Sequence, residues 1–423
     1  MKDLLDRRGA DAVLIAAALV AAACAFITTS RPYNLVAVTV GVIVLGAALT
    51  SALRRPPSRA AIVIALVLGL ASLTKPPWGN VTLQALFWPS LACFALSMIA
   101  LGFAAYQPSR GWLLKAGVVG AVAAMIGIIF GSGNPAIDVW VIFQQAGAGL
   151  FHGINPYTTT FTDIPAGQTA GCFNYLPVTL FPAAAGWGLF RDVRWAELAV
   201  PLAGWFTLLW HVRGKRNAVL LVGVAMTLGG TLRVAQQGWN ESLVLGWLLI
   251  AAVLWSRGRN LWGMAFLGLA FATKQHALLL LPLCVVWRSF LGWRRTAGAA
   301  AIAFAVSSPW IFANFTRFKS CTVDFFLNAT PRDDSLSLWR FFPSGGQTVL
   351  VVVLACAAVG LCWKCAPKTP AGFLLASALL LATFSLVNKQ TFENQWWLVS
   401  ELAVAALALG VVETTGLVSV PAA

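Results

Sequence analysis

Asp138 stands in the longest stretch of the chain that is not plainly a membrane span, Gly131 to Pro177, GSGNPAIDVWVIFQQAGAGLFHGINPYTTTFTDIPAGQTAGCFNYLP. Only 14 of the 423 residues are Asp or Glu, so an acid in this setting carries weight. Its chemistry would be that of a general base. A solvated Asp is weakly basic, so burial or hydrogen bonding must position and tune it. The plainer alternative is a helix cap or surface anchor, since Asp is a favoured N-cap. Asp138, Gln145 and His152 fall seven apart and share one helix face, with Val139, Phe143, Ala146 and Leu150 on another. A helix of this kind can lie in the interface plane. Gly153-Ile154-Asn155-Pro156-Tyr157 should stop it, because Gly takes a left-handed C-terminal conformation and Pro cannot continue a helix.

Cations near a membrane are costly and so mark candidate sites. Lys274 sits between Ala272 and the run Ala277–Leu281; Arg233 and Arg194 come next. Each would neutralise a phosphate as negative charge develops on it, or would snorkel to the headgroups. Glu241 closes the run Gly238-Trp239-Asn240-Glu241, and Gln275 and His276 flank Lys274. Trp140, Tyr157, Tyr175, Trp239 and Trp396 are either interface-belt aromatics or platforms for a ligand ring. Three His, too few and dispersed for zinc, predict no metal, and no nucleotide or other cofactor motif is present. Cys172 and Cys321 are the cysteines of the long outer segments; an oxidising exterior would let them pair, but spacing alone does not establish it. Cys362 and Cys365 form a C-x-x-C without the strand–helix context of a redox fold.

The elements that must position these groups are membrane helices. The chain is 59% hydrophobic and only 10% charged, with a mean hydropathy of +0.80, whereas soluble domains are about a quarter charged. Continuous apolar runs recur from end to end, and spanning takes about 20 apolar residues as a helix. The net charge of +15 is better explained by Lys and Arg in cytoplasmic loops than by nucleic acid. The fold class expected is therefore an all-α polytopic membrane protein with about 14 transmembrane helices. Alternating basic loops place both termini inside and Asp138 outside, beside most of the acids. Tyr175–Phe190 is assigned to the outer surface as a juxtamembrane helix, because it is short, carries Pro177 and Pro182, and ends in Arg191, Asp192 and Arg194. Three regions follow: N-terminal spans over 1–131, an extracytoplasmic loop over 132–194, and C-terminal spans over 195–423 with an outer loop at 314–346. That outer loop is either a mobile cover or a solvated connection.

An outer-loop Asp, a surface helix, G-x-N-P-Y, then F-x-Y-x-P opening a second surface helix and a D-x-R turn resemble the GT-C superfamily of integral-membrane glycosyltransferases. The similarity is to bacterial mannosyltransferase-like and aminoarabinose-transferase-like members and covers about Asn134 to Trp397. It implies a polyprenyl-phosphate sugar donor, a glycolipid or glycan acceptor, membrane lipids as surroundings, and a plasma-membrane location with the site on the extracytoplasmic face. It implies Asp138 as catalytic base, Glu241 as the second acid and Lys274 beside the lipid phosphate. Phe392-Glu393-Asn394-Gln395-Trp396-Trp397 resembles an outer aromatic turn before the last helix. The chain departs from the family in having five spans before Asp138, where one is usual, and a lone Asp rather than D-x-D. A transporter or flippase of lipid-linked sugars is the alternative; it would place polar groups near mid-membrane, often in repeated halves.

Overall fold

The computed structural model describes residues 2–25, 32–74, 81–164, 171–332, 335–341 and 347–414. Asp333, Asp334 and residues 342–346 of the outer loop lie outside them. Among the described residues the chain is all-helical, with a single isolated bridge between Val81 and Ser132. The first five helices, α1 (Lys2–Ala25), α2 (Pro32–Ala48), α3 (Arg59–Ala71), α4 (Gln84–Tyr106) and α5 (Gly111–Gly131), precede the site. Two shorter ones, α6 (Asp138–Phe151) and α7 (Leu180–Phe190), carry the segment around Asp138. The chain then runs through α8 (Arg194–Val212), α9 (Arg216–Ala225), α10 (Thr231–Gln237), α11 (Glu241–Ser256), α12 (Asn260–Phe271), α13 (Leu281–Val286) and α14 (Gly292–Ala313). Two short helices, α15 (Phe315–Lys319) and α16 (Phe325–Asn328), lead to α17 (Gln347–Cys365), α18 (Pro370–Val387) and α19 (Glu393–Thr414).

Among the described residues six helices are long and apolar enough to cross a membrane: α1 from Arg8, α4, α5, α14, α18 and α19. A seventh is made if α10 and α11, bent by 117° at their junction, count as one broken span. The other expected crossings fall on shorter apolar helices, except the one on α8, which has 19 residues but falls in neither group. α18 and α19 form the buried centre of the bundle, whereas α14 presents most of its surface outward.

Without a hydrophobic drive between helices in lipid, close backbone approach supplies the packing. Gly204 of α8 faces Gly246 of α11, where a Cβ would lie 2.9 Å from the partner's Cα. Sequence reading places a span at Ala218–Leu232, but the helix stops at Ala225. Gly229 packs on the backbone of Ala22, and Gly230 turns the chain with φ +89°. α10 therefore sets off in a new direction, and Gly238 (φ +66°) turns it again into α11.

The segment around Asp138 has a core of its own. Trp140, Phe143, Tyr157, Phe173, Tyr175 and Phe318 pack into one cluster separate from the main bundle. Cys172 and Cys321 form a disulfide across 149 positions, which ties this lobe to the loop after α14. α6 stops as expected: Gly153 has φ +68°, and the N–H of Ile154 donates back to Gly149 O at 3.0 Å.

Candidate functional site

Asp138 is the first residue of α6, while Ile137 occupies the cap position in an extended conformation. Asp138 is half-buried, and its Oδ1 accepts from the Val139 N–H at 2.8 Å. Burial raises its carboxyl above the usual carboxylate range; the Val139 N–H, Arg332 and Lys274 offset part of that rise. An Asp tuned upward is a better base than a solvated one. Gln145, on the same helix, is tied to the backbone of Thr162 through both ends of its amide.

Tyr175 lies against Lys274, whose Nζ is 5.5 Å from the ring centroid. Backbone pairing explains the approach. Leu176 N–H donates to Thr273 O and Val178 N–H to Ala272 O. The Gln275 amide donates to Asn174 O and Thr322 O at 2.9 and 3.1 Å, clamping both sides of the disulfide to one turn. Burial raises the Tyr175 phenol well above its ordinary value, and the charges of Asp138, Glu241 and Glu197 add to it. Three acids therefore converge on one phenol.

Lys274 is already engaged. Its Nζ pairs with Glu241 and donates to Asn240 Oδ1 at 2.8 Å. The second Glu241 oxygen accepts from Asn394 Nδ2 at 2.7 Å. The turn at Gly238 delivers Asn240 and Glu241 to this point at the start of α11, and α19 brings Asn394. His276 is half-buried within electrostatic reach of the same pair.

Two further ion pairs flank the centre. Arg194 grips Asp192 with both Nε and Nη2, and its Nη1 donates to Ser132, Gly133 O and Gln236 O. Trp140 Nε1 also points at Asp192. Arg233 pairs with Glu393 and lies 5.5 Å over Trp239. Tyr157 and Trp396 are enclosed; their polar atoms donate to Tyr175 O and Leu336 O. They present no open face to a ligand, and hold Tyr175 and the 335–338 segment in place instead.

Of the residues singled out in sequence, the fold gathers Asp138, Tyr175, Glu241, Lys274, Gln275 and His276 at one place, and Arg194, Arg233, Trp140 and Trp239 beside it. Asn240, Asn394, Asp192 and Glu197, none of them singled out as a site residue, join them, as does Arg332 of the expected outer loop. Asn240 and Asn394 stand next to the acids that drew attention, and Glu197 lies one helical turn after Arg194, so a signal existed for these three. Glu197 is buried, and both carboxyl oxygens lack a partner among the described residues. A cavity of about 20 Å³ beside it, bordered by Arg194, Thr231, Gly238, Ser242 and Trp397, has room for about one water. No metal-binding group of three His, Cys, Asp or Glu occurs among the described residues.

The chain matches no protein-family model, no curated protein and no solved structure.

Proposed function

We propose that this chain is a membrane glycosyltransferase of the GT-C kind, moving a sugar from a polyprenyl-phosphate donor to a hydroxyl of an extracytoplasmic acceptor. In this reading all fourteen apolar helical segments cross the plasma membrane, and α6 and α7 lie on its outer face. Asp138 takes the proton of the acceptor hydroxyl. The oxygen attacks the anomeric carbon with inversion, and the bond to the phosphate oxygen breaks to release polyprenyl phosphate. A lipid-linked sugar carries its own activation, so no nucleotide is required.

One observation carries the reading: a carboxyl tuned upward by burial stands at the start of α6, within electrostatic reach of two cations, Lys274 and Arg332, from different parts of the chain. Base and phosphate partner must be neighbours in such a reaction, because the acceptor oxygen and the leaving oxygen flank one carbon. Glu241 holds Lys274 in position, and Arg332 acts by charge from the segment after α16. Tyr175, Trp239 and Trp140 border the place where the sugar would sit.

The test is transfer from a radiolabelled polyprenyl-phosphate sugar in membranes containing the protein. Asp138→Asn is expected to lower transfer by about 10²- to 10⁴-fold; unchanged transfer removes Asp138 as the base. A second reading, a flippase of lipid-linked sugars, is favoured by the 117° break between α10 and α11, since broken helices beside polar groups are a transporter feature. Translocation of the labelled lipid without transfer would select it.

A further inference from the structure

The far end of α8 carries a second cluster, independent of the chemistry at Asp138. α8 has 19 residues, so Arg194 and Val212 are separated by about 27 Å, close to the thickness of a hydrocarbon core. At that opposite surface Arg213 follows α8, and Arg257 follows α11, which packs along it. Both guanidiniums lie over one ring: Arg257 is 3.5 Å and Arg213 5.5 Å from the Trp210 centroid. Arg257 Nε donates to His211 Nδ1 at 3.1 Å. Arg259 is near enough, with Arg213, to act on Arg257 by charge.

Three like charges held together repel one another unless an anion joins them. No carboxylate pairs with any of the three among the described residues. Glu413, at the same end of α19, accepts from Ala371 N, and Asp11 from Ser58 N. Nor do these side chains cap helix ends. Arg216 does so, donating to Ala104 O and Gln107 O, and Lys368 bonds the carbonyls of Cys362, Trp363 and Ala366. Arg213 and Arg257 face the aromatic ring and solvent instead.

The surroundings specify the anion further. Ala199, Ala203, Phe206 and Trp210 are exposed and recur along one face of α8, leading from the guanidiniums toward the middle of the membrane. Leu261 and Trp262, two and three residues after Arg259, are exposed as well. A ligand that satisfies both parts has a phosphate and an apolar body.

We infer that Trp210, Arg213, Arg257 and Arg259 form a seat for the phosphate headgroup of an anionic phospholipid, its acyl chain lying along Phe206, on the face opposite Asp138. The seat would be occupied by a lipid of the surrounding leaflet and would fix α8 and α11 against each other at the end remote from the site.

The test is native mass spectrometry of the full chain released from detergent containing phosphatidylglycerol or phosphatidylcholine. Wild type is expected to retain phosphatidylglycerol at least about tenfold better. The pair Arg213→Gln and Arg257→Gln should lower that retention about 25-fold, at about fivefold per cation. Arg288→Gln with Arg295→Gln, which removes two charges elsewhere, should leave it unchanged. Equal loss in both pairs would reduce the effect to overall charge and overturn the seat. So would the absence of a preference in wild type, or displacement by 10 mM inorganic phosphate as complete as by excess lipid, at about 10 mM as a chosen probe level. If the glutamine pair does not yield folded protein, Trp210→Leu keeps every charge and removes the ring; retention should fall about threefold, and full retention overturns the proposal.

Discussion

Lys274 and Glu241 form an ion pair with almost no access to water. Removing one partner from such a pair strands the other's charge, at a cost of about 3–5 kcal/mol. Lys274→Met should therefore lower the unfolding midpoint in detergent markedly, and Lys274→Met with Glu241→Leu should recover a large part of the loss. Equal damage in single and double variants would mean that the pair is not the unit. Asp138 behaves in the opposite sense to a paired acid. Its raised carboxyl favours the protonated form in the fold, so its contribution to stability falls as pH rises from the ordinary range, near about 3.9, through the raised value. As a base it works deprotonated, so the acid limb of the proposed transfer should lie above that ordinary value. A limb at the ordinary position would mean the carboxyl is solvated during turnover. Asp138, Glu241 and Lys274 were legible in sequence because charge is scarce here. The contact that Asn394 makes and the approach of Arg332 were not, because both depend on the path of the chain across the fold: Asn394 meets Glu241 from 153 positions away.

At the scale of elements, the lobe of α6 and α7 depends on one covalent tie. The Cys172–Cys321 bridge spans 149 positions, and bridges closing long loops contribute about 2–4 kcal/mol. Cys172→Ala should lower thermal stability and open the 155–164 and 171–176 stretches to protease. Unchanged protection would assign the lobe's rigidity to the Tyr157–Phe173–Phe318 cluster alone. Gly238 is a second fixed point. It has φ +66°, and a Cβ there would lie 2.5 Å from Glu197 Oε2, so Gly238→Ala should cost at least about 1 kcal/mol and displace Glu197. The stop of α6 could be read from Gly153 and Pro156, because those residues act on their own backbone. The sharp turn into α10 could not. It follows from Gly229 meeting Ala22 of α1, a contact that no local pattern announces.

At the scale of the whole molecule, alternating basic loops predict that Asp138 and Arg213 lie on opposite sides of the membrane. Asp138→Cys, in a background lacking the free cysteines, should react with an impermeant maleimide from outside, and Arg213→Cys only after permeabilisation. The reverse pattern would invert the topology and move the site inside. Helix content was open to composition and hydropathy, whereas the central place of the last two helices was not. Helix lengths were less so, because apolar residues continue past the backbone breaks. Those short helices bear on the lipid itself. α11 has 16 residues and α12 has 12, about 24 and 18 Å of helix, against a hydrocarbon layer of about 30 Å. In the proposed topology, where each of them crosses, a bilayer that thinned to match them would set the polar turn at Asn240 and Glu241 in a dent below the average headgroup plane. For a prenyl chain anchored by its hydrophobicity, depth is work: each methylene left in the bilayer avoids about 0.8 kcal/mol of extraction. A dent one helical turn deep would let the phosphate end of such a chain reach Lys274 with several more methylenes still immersed.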